Sequence, residues 1–339
     1  MTGKERCLAA VELRETDRVP VNPENYSFCM YYCGHDFDDV NYNGDLLADC
    51  LIKTMEDFDY DGVTVDLDNA VAAEALGASV SMRAEEPSVA RGGAIANLRD
   101  LGRLKVSNPL KDGRLHVYVD CVKRLSKEIG DEKFIYAFAD QGPFSLAAMT
   151  RGMENFMLDI GLMEDEEGLH NLIDFCRKCT EEFMKALIDA GAHVVGVGEA
   201  LGSPDMLDPA QYKQFAFEPD AKMIETLKNY GAKTGIHICG NVTEILPLLV
   251  ETGADVLDID YKTDLVKCHD ICAGKVAVRG PIDPSDVMAR GTPEEVTQKC
   301  QEAIDILGAD GGFILSSGCD IMRVVPNENM RAMVESVKG

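Results

Sequence analysis

Eight short apolar runs, each followed by a helical stretch or a long loop, constrain this chain more than any other feature. They span residues 19–21, 62–65, 134–139, 193–198, 234–239, 256–260, 276–280 and 313–317. The runs are continuous rather than alternating and rich in β-branched residues, the pattern of parallel strands buried on both faces. Strand–helix alternation repeated eight times predicts an α/β fold closed into a (β/α)8 TIM barrel. The helices are legible from their punctuation. Residues 165–190 carry a long apolar stripe that stops at Gly191, residues 243–251 stop before Gly253, and Thr292-Pro293-Glu294-Glu295 opens a helix that closes at Gly308. Residues 70–119, rich in glycine and charge, show little periodicity and read as an excursion after the second run, a candidate lid. No repeat or linker divides the chain, so residues 1–339 are expected to form a single domain.

A barrel enzyme gathers its chemistry at the C-terminal ends of its strands. Read at those ends, the chain offers Asn25 and Tyr26 after the first run, Asp66 and Asp68 after the second, and Asp140 and Gln141 after the third. Glu199 ends the fourth, His237 and Cys239 the fifth, Asp258 and Asp260 the sixth, Arg279 the seventh, and Cys319-Asp320 follow the eighth. His237 and Cys239 stand two apart on a strand and therefore share a face. Cys319 is the natural third partner, because strand ends in a closed barrel converge however far apart they lie in sequence. Imidazole with two thiols suits zinc, and three ligands with a position left open is the pattern of a catalytic rather than a structural site. The same three residues also suit a buried core histidine and two buried thiols.

Glu199 is a candidate fourth ligand and catalytic carboxylate. Asp66, Asp140 and Asp260 are candidates for orienting substrate or for holding the second nitrogen of His237. Asn25, Tyr26, Gln141 and Arg279 are candidate substrate contacts, and Arg279 or Arg151 would supply a cationic handle for an anionic ligand. The stretch 22–32, with its Tyr, Phe and Met residues, reads either as an apolar pocket wall or as packing of a short entry helix.

The formal net charge of -26 argues against a nucleic-acid surface, which draws on clustered Lys and Arg. No run reaches the length a membrane helix requires, and the first residues lead into an amphipathic pattern rather than a signal peptide, so a soluble cytoplasmic protein is expected. The 12 cysteines then read as reduced thiols, with Cys176 and Cys179 filling the core of a helix. No G-x-G-x-x-G, Walker loop or serine elbow follows a strand, which disfavours a nucleotide enzyme and a serine hydrolase.

Four stretches carry a resemblance: 142–147 (Gly-Pro-Phe-Ser-Leu-Ala), 203–209 (Ser-Pro-Asp-Met-Leu-Asp-Pro), 237–241 (His-Ile-Cys-Gly-Asn), and 280–284 (Gly-Pro-Ile-Asp-Pro) continuing to 317–320 (Ser-Gly-Cys-Asp). From about Arg18 onward the chain resembles the uroporphyrinogen decarboxylase superfamily, and within it the zinc-dependent, corrinoid-linked methyltransferases. The resemblance implies a (β/α)8 barrel, zinc held by His237, Cys239 and Cys319, and a separate cobalamin-binding corrinoid protein as partner. It implies methyl transfer in one of two directions: from a methyl donor, with a methoxylated aromatic favoured by the aromatic stretch 22–32, or from methylcobamide to a thiol of the coenzyme M type. The decarboxylases grip their tetrapyrrole with arginines just after the first strand, and residues 22–32 contain none. Tetrapyrrole decarboxylation and a non-catalytic corrinoid-handling role remain the competing expectations.

Overall fold

Seven of the eight apolar runs form strands where the sequence places them. The computed structural model describes residues 1–338. In chain order the strands are β1 (Gly62–Val65), β2 (Ser79–Arg83), β3 (Glu86–Gly92), β4 (Phe134–Gln141), β5 (Val194–Gly198), β6 (Thr234–Ile238), β7 (Val256–Ile259), β8 (Ala277–Ile282) and β9 (Phe313–Ser317). The main sheet has seven strands in the order β1-β4-β5-β6-β7-β8-β9, parallel throughout.

The first expected strand, residues 19–21, is reduced to a single bridge between Val21 and Leu315. Pro20 and Pro23 flank the bridge and have no N–H to donate, so a ladder cannot extend in either direction. The segment nevertheless touches both edge strands. Leu315 N donates to Pro20 O at 2.9 Å, Asn22 N to Leu315 O at 3.0 Å, and Asp61 N, just before β1, to Val21 O at 2.9 Å.

The expected excursion is ordered and shorter than residues 70–119. It comprises the helix Val71–Ala75, the antiparallel hairpin β2–β3 and a 3-10 turn, and it ends where the helix Leu115–Glu128 begins. Packing of the buried Leu115, Val117, Cys121, Val122 and Leu125 defines that helix, whose stripe the glycine-rich flank concealed. The helix Glu166–Ala190 starts at the Asp165 cap and stops at Gly191 in the left-handed region, and Thr292 and Glu295 form a capping box before Pro293–Leu307. The helix expected at 243–251 covers only Leu246–Glu251, because Thr243 is drawn into a turn with Asn241.

One apolar core lies between the outer face of the sheet and the helices. A second, smaller core on the opposite face contains Phe134, Tyr136, Phe138, Val194, Val256, Ala277 and Ile314, and the N-terminal helix Gly3–Val11 packs Cys7, Ala10 and Val11 against it. No helix among the described residues is long and apolar enough to cross a membrane.

Candidate metal centre

The face that carries the smaller core becomes polar toward the C-terminal ends of the strands. Gly235 of β6 and Gly196 of β5 leave room for the Tyr136 ring, since a Cβ on either would come within 1.8 or 2.6 Å of its hydroxyl. That hydroxyl donates to Asp258 Oδ2 at 2.6 Å, and Arg279 Nη1 donates to Asp258 Oδ1 at 2.7 Å. Arg279 also donates to Thr64 Oγ1 at 2.7 Å and to both oxygens of Asn22 at 3.1 Å. These bonds engage all three guanidinium nitrogens, and the residue is only 1% exposed. The expectation that Arg279 faces substrate is therefore corrected: it is the keystone of a polar floor. Arg151 is likewise spent, on Asp159 and the Ala96 carbonyl.

His237 stands on this floor, paired in the ladder with Gly198 on one side and Asp258 on the other. Its Nδ1 lies 3.2 Å from the Asp258 backbone carbonyl. A carbonyl only accepts, so Nδ1 carries the proton and the Nε2 lone pair is free in the neutral ring. The partner is a main-chain oxygen and not Asp66, Asp140 or Asp260.

Cys239 lies one residue beyond the end of β6, and its sulfur is 3.2 Å from His237 Nε2. The loop is held by Ser203 Oγ, which donates to the Cys239 carbonyl at 2.7 Å, and by Asp260 Oδ2, which accepts from Gly240 N at 2.9 Å. Gly240 has φ +87°, and a Cβ there would meet Ser203 Oγ at 2.9 Å. The stretch 203–205 thus acts by clamping the cysteine loop. Cys319 arrives from the far end of the chain on a segment pinned by Gly318 N to Ile282 O at 2.8 Å and Ile321 N to Glu24 O at 2.7 Å.

The ligand atoms of His237, Cys239 and Cys319 all lie within 4.8 Å of one another. Donors bound tetrahedrally to one zinc ion stand about 3.5–4 Å apart, so the spacing fits an ion of that size with little adjustment. The charge state points the same way. Burial works against a charged His237, yet the hydrogen bond to Cys319 and the negative field of Glu24, Cys319 and Asp258 push it up to about 10. Cys319 is pushed well above its ordinary value by its hydrogen bond with Cys239 and by burial. The imidazole and the Cys319 thiol thus hold their protons tightly, and a metal ion taking this place would displace them.

The other expected site residues divide. Tyr26 opens the helix Tyr26–Tyr32 and is near enough to Cys319, Asp320, Asp66 and Glu24 to feel their charge. Asp66 accepts from Leu67 N and the Tyr118 hydroxyl and faces Glu24 and Asp140. Gln141 pairs with Gly198 and so lies on the His237 face. Asp140, with φ +59°, accepts from Ala72 N at 2.7 Å and tethers the start of the excursion. Asp260 is occupied with the Gly240 loop and Lys262 N, and Asn25 turns its amide to the Tyr60 hydroxyl at 3.1 Å.

Glu199 does not join the metal cluster. Its carboxylate accepts from Phe144 N at 3.2 Å, Ser145 N at 2.6 Å and Ser145 Oγ at 2.5 Å, at the N-terminus of the helix Pro143–Arg151. The stretch 142–147 is thus a socket for this acid, and a Cβ on Gly142 would strike its oxygen at 2.1 Å. Burial pushes Glu199 from its ordinary 4.5 up to about 7, against the pull of those hydrogen bonds. Asp220, buried beside it, is pushed well up by burial and by the Glu199 charge. A carboxyl raised on folding contributes stability that is fully present below about pH 4.5 and is lost as pH rises through about 7. Denaturant unfolding is therefore expected to show lower stability at about pH 8 than at about pH 5, with a flatter profile in Glu199→Gln. An identical slope in the variant would remove Glu199 from the explanation.

Glu24 is the site residue that strand-end reading missed. It is buried, and its charge acts on His237, Cys319, Asp66 and Asp320. Its signal was being the only acid in the Asn22-to-Tyr32 stretch, where aromatic residues dominated the pattern.

A parallel α/β sheet that brings an imidazole from a strand and two thiols from the loops beyond strand ends into one cluster defines an α/β protein with a candidate metal centre. The uroporphyrinogen decarboxylase (URO-D) family model matches residues 2–339, and the chain belongs to that family. It is 27% identical to the methylcobamide:CoM methyltransferase MtbA of Methanosarcina acetivorans, over 100% of this chain and 98% of that protein. It is 25% identical to a methylated-thiol–coenzyme M methyltransferase of Methanosarcina mazei, over 100% of this chain and 89% of the relative. Among solved structures, a methyltransferase from Methanosarcina mazei superposes with a TM-score of 0.90 at 23% identity, over 99% of this chain and 98% of the other. All three are methyltransferases, in line with the class the sequence suggested, and the two sequence relatives are named for methylcobamide or a methylated thiol and coenzyme M.

Proposed function

We propose that this chain is a zinc-dependent methyltransferase that moves a methyl group from a corrinoid carried by a separate protein to the sulfur of a small thiol. The observation that carries this reading is the His237, Cys239 and Cys319 cluster, with Nδ1 tied to a carbonyl so that Nε2 and both sulfurs share one space. Zinc bound there would supply Lewis acidity that keeps an incoming thiol as its thiolate. The chain's own residues do the rest. The Asp258 carbonyl fixes the imidazole, the clamps on the 239–240 and 318–321 segments fix the sulfurs, and the Arg279 floor closes the face beneath them. We read the seven strands and residues 19–22 together as a closed eightfold barrel, whose mouth the corrinoid protein covers.

The thiol direction agrees with the names of the relatives. The aromatic-donor direction, which the stretch 22–32 favoured in the sequence, loses much of that support because most of the stretch packs inward. Phe28 stacks with Tyr32 and both contact Phe58, while Cys29 and Met30 are fully buried. Decarboxylation lacks its arginines, since Arg279 is internally bonded. The test is to load the protein with zinc, add methylcob(III)alamin and a thiol, and follow loss of the methyl–cobalt spectrum with formation of the thioether. Turnover proportional to bound zinc is expected, and equal turnover by metal-free protein would overturn the reading.

A further inference from the structure

We propose that the thiol taken by this site carries a cationic, N–H-donating head group, an aminothiol rather than a sulfonate-bearing thiol. The inference rests on the thiol-methyltransferase reading and names the substrate class for that same site.

Four acids at or near this face, Glu24, Asp66, Asp140 and Asp320, accept no hydrogen bond from a cation. Glu24 makes no hydrogen bond to a cation: Arg279 stands off at 3.8 Å, and the nearby His237 is neutral once it holds a metal. Asp66 accepts only from Leu67 N and the Tyr118 hydroxyl, and Asp320 from Ser27 N. Asp140 accepts only from Ala72 N and Gln141 Nε2. Every one of these hydrogen-bond donors is neutral. Burial pushes Asp66 well up and Asp140 up to about 8, so these carboxyls hold their protons until a cation beside them favours the charged form. Zinc with two thiolates and a neutral imidazole is formally uncharged and would not balance them.

The buried cations nearby are already matched, whereas Arg323 and Lys262 stand toward solvent with only long contacts to exposed acids, at 3.5 and 3.9 Å. Arg279 is bonded to Asp258, and Arg151 to Asp159. Arg323 lies over Tyr31 and faces Glu85, and Lys262 faces Asp205. Arg114 keeps one unpartnered nitrogen, Nη2, but its charge is met by Asp68 and Glu74.

A second observation is independent of charge. Gln141, only 2% exposed, donates its amide nitrogen to Asp140 at 3.1 Å and leaves Oε1 without any partner. It is opposite Gly198, which is opposite His237, and residues opposite one another across a ladder share a face. A Cβ on Gly198 would lie 3.9 Å from the Gln141 amide nitrogen, which places that side chain over the His237 face. The site thus presents a buried orphan acceptor beside carboxylates, and an orphan acceptor calls for a donor. An ammonium head supplies both the donor and the counter-charge. A sulfonate would bring only acceptors and a like charge.

Three thiols with the same two-carbon arm separate the possibilities: 2-aminoethanethiol, 2-mercaptoethanol and 2-mercaptoethanesulfonate. Calorimetric titration into zinc-loaded protein is expected to rank them cationic, neutral, anionic, with about tenfold or more between the extremes. Methylation from methylcob(III)alamin should follow the same order in KM. Asp66→Asn and Glu24→Gln, checked for zinc content and thermal unfolding, should each narrow the cationic preference; if either fails to fold, the wild-type ranking decides alone. Equal or tighter binding of the sulfonate overturns the inference while leaving the thiol reading standing. If no thiol binds or is methylated, the thiol reading itself falls and takes the inference with it.

Discussion

Cys319→Ala is expected to yield a folded chain that has lost its metal and, with it, methyl transfer. The segment that carries the cysteine is held by its backbone, through Gly318 N to Ile282 O and Ile321 N to Glu24 O, so removing the sulfur leaves those anchors intact. The side chain is also only half-buried, which limits the cavity left behind. What is lost is one of three donors. A site reduced to His237 and Cys239 should bind zinc on the order of a thousandfold more weakly. Zinc content measured after dialysis should fall from about one ion per chain to near none, while the unfolding midpoint of the metal-free variant stays close to that of metal-free wild type. Full zinc retention in the variant would show that another group closes the site, and Glu24, whose charge already acts on both His237 and Cys319, would be the first to replace next.

Much of this architecture is written in local pattern. Buried parallel strands declare themselves as continuous apolar runs, and the cap at Asp165 and the capping box at Thr292 mark helix starts directly. The clustering of His237, Cys239 and Cys319 was legible for the same reason, since they stand at or just past strand ends and strand ends converge. Partners across the sheet were not legible. Glu199 and Arg279 look like site residues in sequence because they end strands. Only the structure shows one filling a helix N-terminus at 143–145 and the other tying β8 to Asp258, Thr64 and Asn22. Parity along a strand gives the face of a residue but not which neighbour consumes it. The first strand failed for a local reason that Pro20 and Pro23 did announce, and Glu24 between them and the aromatic cluster was hidden by the stronger hydrophobic signal.

Arg279→Leu tests the floor on which the site stands. Removing one member of a buried ion pair costs about 3–5 kcal/mol, because the remaining charge is stranded. Asp258 would keep its bond from the Tyr136 hydroxyl but lose the one at Oδ1, and the Asn22 and Thr64 oxygens would lose their donor as well. Denaturant unfolding should report a loss of that size. Asp258→Asn added to Arg279→Leu should recover part of it, because the stranded charge is then gone. The metal should respond too. Asp258 also supplies the carbonyl that orients His237, and loosening it should weaken zinc binding by about 10–100-fold, the usual effect of disturbing a ligand's outer partner. If Arg279 gripped substrate instead, the variant would keep its stability and its zinc and raise KM alone. Stability loss together with weaker zinc is the signature of a keystone, whereas a stability cost below about 1 kcal/mol would mean that water reaches the floor and that the Asp258 pair is screened.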